Sequence, residues 1–452
     1  MTKSSKSLWA RFLFQDRGIL PTKRLLAVFA TLSLVLLIAA LFDISWRFLV
    51  TVNVVALLAS LADLRLSAGK KDISFKRIIP KEMERGISYT VSLEITNDSA
   101  HALAYRFVDD MPQSFVRSFQ TEGSIPEHSA AEVRYETIAT VRGKYEIEKI
   151  YFRFSSSLGL WEKQLTVELA DTAKVIPDLT ETKQYLENAQ QFLMYEGVKI
   201  RRKRSGVGDF SKIRAYAAGD DPRKINWRQT AKLHEVMAND YEPEHGKYIT
   251  ILIDCGRMMG AELKNGNRLE KAMEAALTVA AAALKKGDYV SVLAFSKEIK
   301  VFVPPAKGMA QLQTILHAIY NLGVDAVESN YAAVLQYMET VQKKRSLLLL
   351  FSDVQTFLHD ETSLAYLKRL RKRHIFIMIG IEDQTILKRI KQEPLDLESA
   401  MLKSMAQQQM LNKKREKVRW EKQGLQLVEA GEERLAAAAV SHYIEIMNRN
   451  LL

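Results

Sequence analysis

Two aspartates stand at the ends of apolar runs that have the composition of buried strands. Asp254 ends the run YITILID, and Asp353 follows the run LLLLFS. Because the carboxyl ends of parallel strands meet along one edge of a sheet, these carboxylates are expected to face one crevice. Ser329, in a loop between them, can add a hydroxyl oxygen. Oxygen ligands of this kind bind hard cations, so Asp254, Ser329 and Asp353 form a candidate site for Mg²⁺ or Mn²⁺.

A second candidate site is the stretch Ser205–Lys232, which reads SGVGDFSKIRAYAAGDDPRKINWRQTAK. From Lys199 to Lys232 the chain has eleven lysines or arginines and three aspartates, a local charge of 11 − 3 = +8. In one interpretation this stretch is a docking surface that offers arginines to the carboxylates of an acidic partner. In the other, which we favour, its aspartates pair with its arginines and clamp two domains together. Dense mixed charge usually satisfies itself when it is partly buried.

Asp221 is expected to cap a helix that begins at Pro222. Such a helix would bring Ile225, Trp227 and Ala231 to a face that packs toward the core. The residues of this interaction or clamp site are Asp209, Arg214, Asp220, Asp221, Arg223, Trp227 and Arg228.

Motifs of common enzyme classes are absent from the sequence. It contains no G-x-x-x-x-G-K-[ST] phosphate loop and no G-x-S-x-G elbow. Cys255 has no identifiable histidine base, so a buried thiol is expected rather than a nucleophile. We therefore expect a protein that is not an enzyme, with a hydrolase that uses the crevice carboxylates as the less favoured alternative.

The net charge of +12 favours anionic partners. The basic run Lys199–Arg204 lacks the interleaved aromatic residues that are typical of single-stranded nucleic-acid-binding segments, so no nucleic acid is expected. Anionic lipid headgroups are a better partner for basic residues in a chain with membrane segments. The single cysteine excludes an intrachain disulfide, which suits a reducing compartment.

The N-terminal part has the pattern of a membrane hairpin. A basic segment, residues 1–24, precedes the 18 uncharged residues Leu25–Phe42, and the 15 uncharged residues Phe48–Ala62 follow after a short gap. Because about 20 apolar residues span a bilayer, residues 25–66 are predicted to form two transmembrane helices. Basic residues flank both outer ends, which places the N-terminus and the body in the cytoplasm. The expected location is the inner (cytoplasmic) membrane, as a multi-pass protein; a cleavable signal peptide is the alternative for the first segment.

The predicted fold class is multidomain, with three parts. The transmembrane helical hairpin comes first, and an all-β sandwich follows at residues 72–177, where short β-branched and aromatic runs alternate with turn signals. Residues 178–245 form a basic linker that contains a predicted helix at Thr180–Tyr195 and the string described above. Residues 246–452 alternate strands with helices, which predicts an α/β doubly wound domain with a mostly parallel sheet. Its charged insert at Asp396–Lys422 is predicted to be a solvated helix, with a partner-binding arm as the alternative.

The second half of the chain resembles a von Willebrand factor A-type domain. The metal-ion-dependent adhesion site of that fold uses D-x-S-x-S after the first strand, a threonine in a later loop and an aspartate after the fourth strand. Here Asp254 is kept, Gly256 and Met258 replace the serines, Ser329 stands for the threonine and Asp353 for the later aspartate. The resemblance therefore implies, as an alternative function, ligand adhesion through a degenerate metal site whose cation would need water ligands.

Nearly the whole chain resembles bacterial membrane proteins of the domain-of-unknown-function 58 family. The resemblance rests on DDMP at Asp109–Pro112, RGKY at Arg142–Tyr145, SSLGLW at Ser156–Trp161 and, above all, the string from Gly206 to Lys232. It implies partnership with a MoxR-type AAA+ ATPase and with other membrane proteins, in the assembly or maturation of protein complexes. The expected function is that of a membrane-anchored, non-enzymatic interaction module.

Overall fold

The computed structural model describes residues 18–42, 45–116, 121–193, 209–242, 246–358, 360–449 and 451–452. The basic leader up to residue 17 and the basic run Lys199–Arg204 lie outside this part of the chain. Contacts divide the chain into two compact units, Met1–Ile176 and Pro177–Leu452.

The first unit begins with two apolar helices, α1 (Lys23–Ala40) and α2 (Trp46–Leu66). The side chain of Thr22 caps α1 by accepting a hydrogen bond from the backbone N of Leu25 at 3.2 Å. Both helices are long and apolar enough to cross a membrane, judged by length and composition. The two predicted helices are therefore present and could span a bilayer, while the multi-pass topology stays a prediction.

Helix α2 ends at Leu66, the end of the predicted transmembrane segment, and carries Asp63 in its last turn. The carboxylate is buried and accepts hydrogen bonds from the hydroxyl of Ser156 at 2.6 Å and the backbone N of Leu158 at 2.9 Å. One turn earlier, Ser60 accepts a hydrogen bond from the indole Nε1 of Trp161 at 2.9 Å. The SSLGLW motif thus fixes the end of α2 to the β domain, and these bonds explain how the helix keeps a buried charge.

The β domain consists of two sheets with one shared hydrophobic core. The strands are β1 (Ile19–Pro21), β2 (Ile73–Ile78), β3 (Glu82–Glu84), β4 (Ser88–Asn97), β5 (Leu103–Asp109), β6 (Thr121–Ile125), β7 (Ser129–Ile138), β8 (Gly143–Ser155) and β9 (Trp161–Ile176). One sheet has the order β2-β4-β7, and the other has the order β1-β9-β8-β5-β6, with β3 paired to β9. Alternate residues of β4, such as Leu93 and Ile95, pack in the same core as Phe152 of β8. This arrangement is the predicted sandwich, with β1, β3 and β6 as additional strands.

Arg77 of β2 makes the main polar connection between the sheets. Its Nη2 lies 2.6 Å from Asp109 of the DDMP motif, and its Nη1 lies 3.0 Å from Asp171 of β9. The side chains of Arg77 and Asp109 are almost fully buried, so removal of one partner would leave an uncompensated buried charge. The motif has a structural role here.

The second unit is built on a six-stranded sheet. Its elements, in chain order, are α3 (Thr180–Glu187), α4 (Ala189–Phe192), β10 (Asp209–Ala215), α5 (Trp227–Leu233), β11 (Met237–Glu242), β12 (Tyr248–Asp254), β13 (Glu262–Leu263), β14 (Gly266–Asn267), α6 (Arg268–Lys286), β15 (Tyr289–Phe295), β16 (Ile299–Ala306), α7 (Ala310–Ile319), α8 (Tyr331–Val341), β17 (Ser346–Phe351), α9 (Val354–Leu358), α10 (Glu361–Leu370), β18 (Ile375–Ile381), α11 (Gln384–Lys391), α12 (Leu397–Lys422), β19 (Gln426–Ala430) and α13 (Leu435–Arg449). The sheet order is β16-β15-β12-β17-β18-β19. All pairs are parallel except β15 with β16. The predicted, mostly parallel sheet is therefore present, while the doubly wound arrangement of helices on both faces stays a prediction.

Two helix predictions are changed by the structure. The predicted helix Thr180–Tyr195 is broken at Asn188 into α3 and α4, and the residues after Leu193 lie outside the described part. The insert helix is present as α12, but it is not solvated throughout. Trp420, near its end, is buried in the domain core, while Leu397 and Met401 near its start are exposed. The C-terminal end of α12 is held against the domain because Trp420 packs against Phe357 of α9.

Candidate functional site

The crevice lies at the carboxyl edge of the parallel sheet. Strands β12 and β17 are neighbours, with Ile253 opposite Phe351, so the residues that follow them share this edge. Asp254 is the last residue of β12, and Asp353 comes two residues after β17. The sequence prediction that both carboxylates lie at one edge of the sheet is confirmed.

Asp254 is enclosed by hydrogen-bond donors. One carboxylate oxygen, Oδ1, accepts from the hydroxyl of Ser329 and from the backbone N of Gly256 at 2.8 Å. The other, Oδ2, accepts from the hydroxyls of Tyr331 at 3.0 Å and Ser352 at 2.5 Å. The residue is 1% exposed. Both oxygens are therefore already engaged by donors from this chain.

The environment of Asp254 acts in two directions on its protonation. Burial raises the pKa of the Asp254 carboxyl above its ordinary value, whereas the hydrogen bonds from Ser329 and Ser352 oppose that shift. The effect of burial is the larger one, because desolvation disfavours the charged form. Four donors replace part of the lost hydration, so the carboxylate is held in place without a cation.

Gly256 marks where the first serine of the adhesion motif would stand. A Cβ atom at this position would lie 2.0 Å from the Ser329 hydroxyl and 3.2 Å from Asp254 Oδ1. The space for a serine side chain is thus taken by the hydroxyl that contacts Asp254. Glycine is required here by packing, because its φ angle is in the ordinary region.

Asp353 has partners of its own. Its Oδ1 forms a salt bridge with Nη1 of Arg268, the first residue of α6. Its Oδ2 caps α9 by accepting from the backbone N of Thr356 at 2.9 Å and from the hydroxyl of the same residue at 2.8 Å. The second guanidinium nitrogen of Arg268 lies 3.6 Å from Asp383, which caps α11. Asp353 is neutralised by an arginine.

These contacts do not fit the cation site expected from the sequence. The structure brings Ser329 to Asp254, but Asp353 bonds to Arg268 and Thr356 instead of completing a shared shell. Within the described residues, no group of three or more histidine, cysteine, aspartate or glutamate side chains could hold a metal ion. The oxygens that a Mg²⁺ or Mn²⁺ ion would need are saturated by donors or paired with a positive charge.

Sequence reasoning missed three residues of this site, Tyr331, Ser352 and Arg268. A signal for Arg268 was available: a basic residue at the start of a long helix is unfavourable next to the helix dipole and so calls for acidic neighbours. Cys255 is buried, as expected, and its backbone N donates to the carbonyl of Phe295.

The second candidate site, the string, contains strand β10, which forms a hairpin with β11 beyond the end of the string. Strands β10 and β11 pair antiparallel from Asp209–Glu242 to Ala215–Met237. Arg214 of β10 forms two hydrogen bonds of 2.7 Å with the carboxylate of Asp220, which follows the strand. The Arg214 guanidinium also lies 3.8 Å from Asp240 of β11. The Arg214 guanidinium and the backbone N of Ala217 hold the pKa of Asp220 down at about 2. Arg214 and Asp220 thus pair within the string, as the clamp interpretation expects.

Asp221 caps a short 3₁₀ helix, Pro222–Lys224, by accepting from the backbone N of Arg223 at 3.0 Å. This confirms the predicted cap, although the helix is shorter than expected. The side chain of Asp209 lies outside the described part of the chain. Whether the string also ties the two domains together stays a prediction.

The predicted burial of Trp227 is wrong, because its side chain is 70% exposed. It begins α5, a helix of seven residues that is fixed to the hairpin by other groups. The hydroxyl of Thr230 accepts from the backbone N of Met237 at 3.0 Å, and Asn226 donates to Asn239 at 2.8 Å. These polar contacts decide which side of α5 faces β11, and they leave the indole on the outer side.

Arg223 and Arg228 are exposed as well, and neither forms an ion pair with another residue in the described ranges. Lys232 at the end of α5 is also exposed. The string therefore contains a locally paired part around Arg214 and an open part around Trp227. We call the open part, made of Arg223, Trp227, Arg228 and Lys232, the Trp227 face.

Comparison with known proteins agrees with the resemblance seen in the sequence. Residues 212–421 match the family described as "Protein of unknown function DUF58". This part of the chain is therefore similar to the DUF58 family. The matched residues 212–421 include most of the hairpin formed by β10 and β11, the crevice and almost all of α12.

The curated relative "Uncharacterized protein YeaD" from Bacillus subtilis (strain 168) is 22% identical over 261 residues, which cover 56% of this chain and 63% of YeaD. The match thus spans less than two thirds of that relative.

Two solved structures are similar at low identity. They are the conserved hypothetical protein BatB from Bacteroides thetaiotaomicron (13% identity, 45% of this chain, 100% of that chain, TM-score 0.30) and the vWF domain of the type V pili tip protein Mfa5 from Porphyromonas gingivalis (10%, 46%, 97%, TM-score 0.30). At these TM-scores the two structures add nothing to what the sheet order establishes.

Proposed function

We propose that this protein is a membrane-anchored, non-enzymatic interaction module that acts with a MoxR-type AAA+ ATPase in the assembly or maturation of protein complexes. The observation that carries the proposal is the Trp227 face. Tryptophan and arginine are the residues most often found at the energetic centres of protein interfaces. Here Trp227 and Arg228 are both exposed on α5, which hydrogen bonds at Thr230 and Asn226 fix to β11.

The charge of the Trp227 face selects an acidic partner. Arg223, Arg228 and Lys232 are exposed in the same short stretch as an indole that is 70% exposed, and a carboxylate-rich surface is the partner that suits their charge. Arginine forms bidentate, charge-assisted bonds with carboxylates, which gives orientation as well as affinity. Opposite charges also speed association by steering the partner.

The contacts in the crevice argue against catalysis by its carboxylates. A general base needs a carboxylate that can reach a substrate proton, but both oxygens of Asp254 accept bonds from this chain. Asp353 is paired with Arg268, and the thiol of Cys255 is buried. These contacts leave the hydrolase alternative without a free carboxylate at the positions that it would use.

The proposed membrane anchor is the hairpin of α1 and α2. Its two helices have the length and the composition of spanning segments. We propose that the anchor holds the body at the inner (cytoplasmic) membrane, where basic residues contact anionic lipid headgroups and other membrane proteins are within reach.

The test is a binding measurement between the full chain, purified in detergent, and the MoxR-type ATPase in its ATP- and ADP-bound states. Wild type is expected to bind one nucleotide state. Trp227→Ala and Arg228→Ala should each weaken binding, with Trp227→Ala costing about 30-fold, as for an interface hot spot. Met309→Ala, which changes an exposed apolar residue at the start of α7, is the control and should bind as wild type does.

Failure of the wild-type chain to bind the ATPase in either state would contradict the proposed partnership. If wild type binds and the two variants bind equally well, the partnership stands and the Trp227 face is not the docking surface. The two parts of the proposal are thus tested separately.

A further inference from the structure

We infer that Arg268 takes the place of a metal ion in this crevice, so that the domain works without a divalent cation. Its guanidinium bridges the carboxylates of Asp353 and Asp383, which follow the adjacent strands β17 and β18. The side chain of Arg268 is only 12% exposed. A positive charge is therefore built into the edge of the sheet where an adhesion site of this fold would hold its cation.

The position of Arg268 in its helix shows that something specific holds it there. It is the first residue of α6, a helix of 19 residues, and its positive charge lies next to the positive end of the helix dipole. Its Nε atom is buried and has no hydrogen-bond partner among the described residues. Both features are unfavourable, so the two carboxylates must supply the compensation.

The two carboxylates are themselves the caps of helices. Asp353 accepts from the backbone N of Thr356 at the start of α9, and Asp383 accepts from the backbone N of Thr385 at 3.0 Å at the start of α11. Three helix N-termini, each equivalent to about half a positive charge, thus surround two carboxylates and one guanidinium. The charges are close to balance, and a divalent ion would add an unneeded charge beside Arg268.

At Asp254 the metal ion is replaced in a different way. The two oxygens of Asp254 accept from the hydroxyls of Ser329, Ser352 and Tyr331 and from the backbone N of Gly256. Hydroxyl groups supply for this carboxylate what a metal ion would otherwise supply. Two separate arrangements therefore stand in for the cation of an adhesion site. The guanidinium of Arg268 neutralises Asp353, and hydrogen-bond donors surround Asp254.

The experiment compares Mn²⁺ binding by the full chain in detergent, after treatment with a chelator, for wild type, Arg268→Met and a control. Calorimetry measures binding, and the melting temperature measures its effect on stability. Wild type should bind no Mn²⁺ at the crevice. Arg268→Met keeps the apolar stem but exposes the charges of Asp353 and Asp383, so it should gain Mn²⁺ binding and melt at least about 2 °C higher with the ion than without it.

The control is Arg257→Met, which removes an exposed arginine from the loop after β12 that pairs with Glu328. It should respond to Mn²⁺ no more than wild type does. If Arg268→Met does not fold, Arg268→Gln serves instead, because it removes the charge and keeps a polar side chain that is shorter than arginine.

Two results would overturn the inference. One is Mn²⁺ binding by wild type that is lost in Asp353→Asn, because the crevice would then hold a cation despite Arg268. The other is a folded, uncharged variant at position 268 that binds no Mn²⁺, because the arginine would then occupy no cation position. A gain of binding in the uncharged variant alone supports the inference.

Discussion

The crevice and the hairpin of β10 and β11 contain the same residue types, but these residues have different roles in the two regions. Each has an aspartate held by several donors and an arginine bound to a carboxylate. In the crevice, Asp254 is 1% exposed and all its bonds come from the surrounding chain. In the hairpin, Arg214 and Asp220 pair at the surface. The side chain of Trp227, which follows this pair in the chain, is exposed to solvent. Burial, more than residue type, decides which of the two regions is closed and which can bind.

The difference bears on where function lies in a fold of this class. The carboxyl edge of a parallel sheet is the usual ligand site. Here that edge is stabilised by Arg268 and by the hydroxyls around Asp254, while the hairpin before β12 has the exposed aromatic and basic groups. We therefore expect substitutions in the crevice to change stability and substitutions on the Trp227 face to change binding.

The largest contrast is expected between two tryptophans. Trp420 is 2% exposed, its ring centroid lies 5.2 Å from that of Phe357 next to the crevice, and its Nε1 donates to the carbonyl of Leu358. Trp420→Ala should lower the free energy of unfolding by about 3–5 kcal/mol, because it leaves a large cavity in the core. Trp227→Ala should change it by no more than about 0.5 kcal/mol, as is usual for an exposed residue.

Chemical denaturation of both variants, followed by circular dichroism, measures this contrast. A large loss of stability in Trp227→Ala would show that the indole is packed, and would favour the clamp interpretation of the string over the docking interpretation.

A smaller effect is expected at Asp254. Asp254→Ala removes the acceptor of three hydroxyls and one backbone N–H, and should lower the free energy of unfolding by about 2–4 kcal/mol. Asp254→Asn is the matched comparison. Its carbonyl can accept from Gly256 while the hydroxyls of Ser352 and Tyr331 reorient toward its amide, so it should cost about 1 kcal/mol. Equal losses in the two variants, measured by denaturant unfolding, would argue against the donor cage.

The smallest effect is a difference in pH dependence. Burial raises the pKa of Asp254, so its contribution to stability is fully present below the ordinary value of 3.8 and is lost as the pH rises through the raised pKa. Arg214 lowers the pKa of Asp220 to about 2, so its contribution is present above 3.8 and is lost as the pH falls toward 2. The two regions should therefore give pH slopes of opposite sign.

Denaturation between pH 2 and pH 7 of wild type, Asp254→Asn and Asp220→Asn tests this. The difference between Asp220→Asn and wild type should shrink as the pH falls below 4, whereas Asp254→Asn should gain relative to wild type as the pH rises. Slopes of the same sign in both variants would contradict the assignment of a closed and an open region.

The parts of the fold that were predictable follow from local patterns. The apolar runs before Asp254 and Asp353, and their alternation with helices, predicted parallel strands with both residues at one edge. The cap at Asp221 was predictable, because a short acidic side chain before proline is a local signal. The orientation of Trp227 was not predictable, because α5 has only seven residues. The side of α5 that faces β11 is set by one hydrogen bond each at Thr230 and Asn226.

What the sequence by itself determined is the alternation of strands and helices around the parallel sheet and the edge of that sheet at which the two carboxylates stand. Only the tertiary structure decided that Arg268 reaches Asp353, a residue 85 positions away, and that Tyr331 turns its hydroxyl to Asp254. The reason is physical. The period of the apolar residues specifies which face of an element is buried, but the partners of a buried charge are set by how distant elements pack, which no local pattern records.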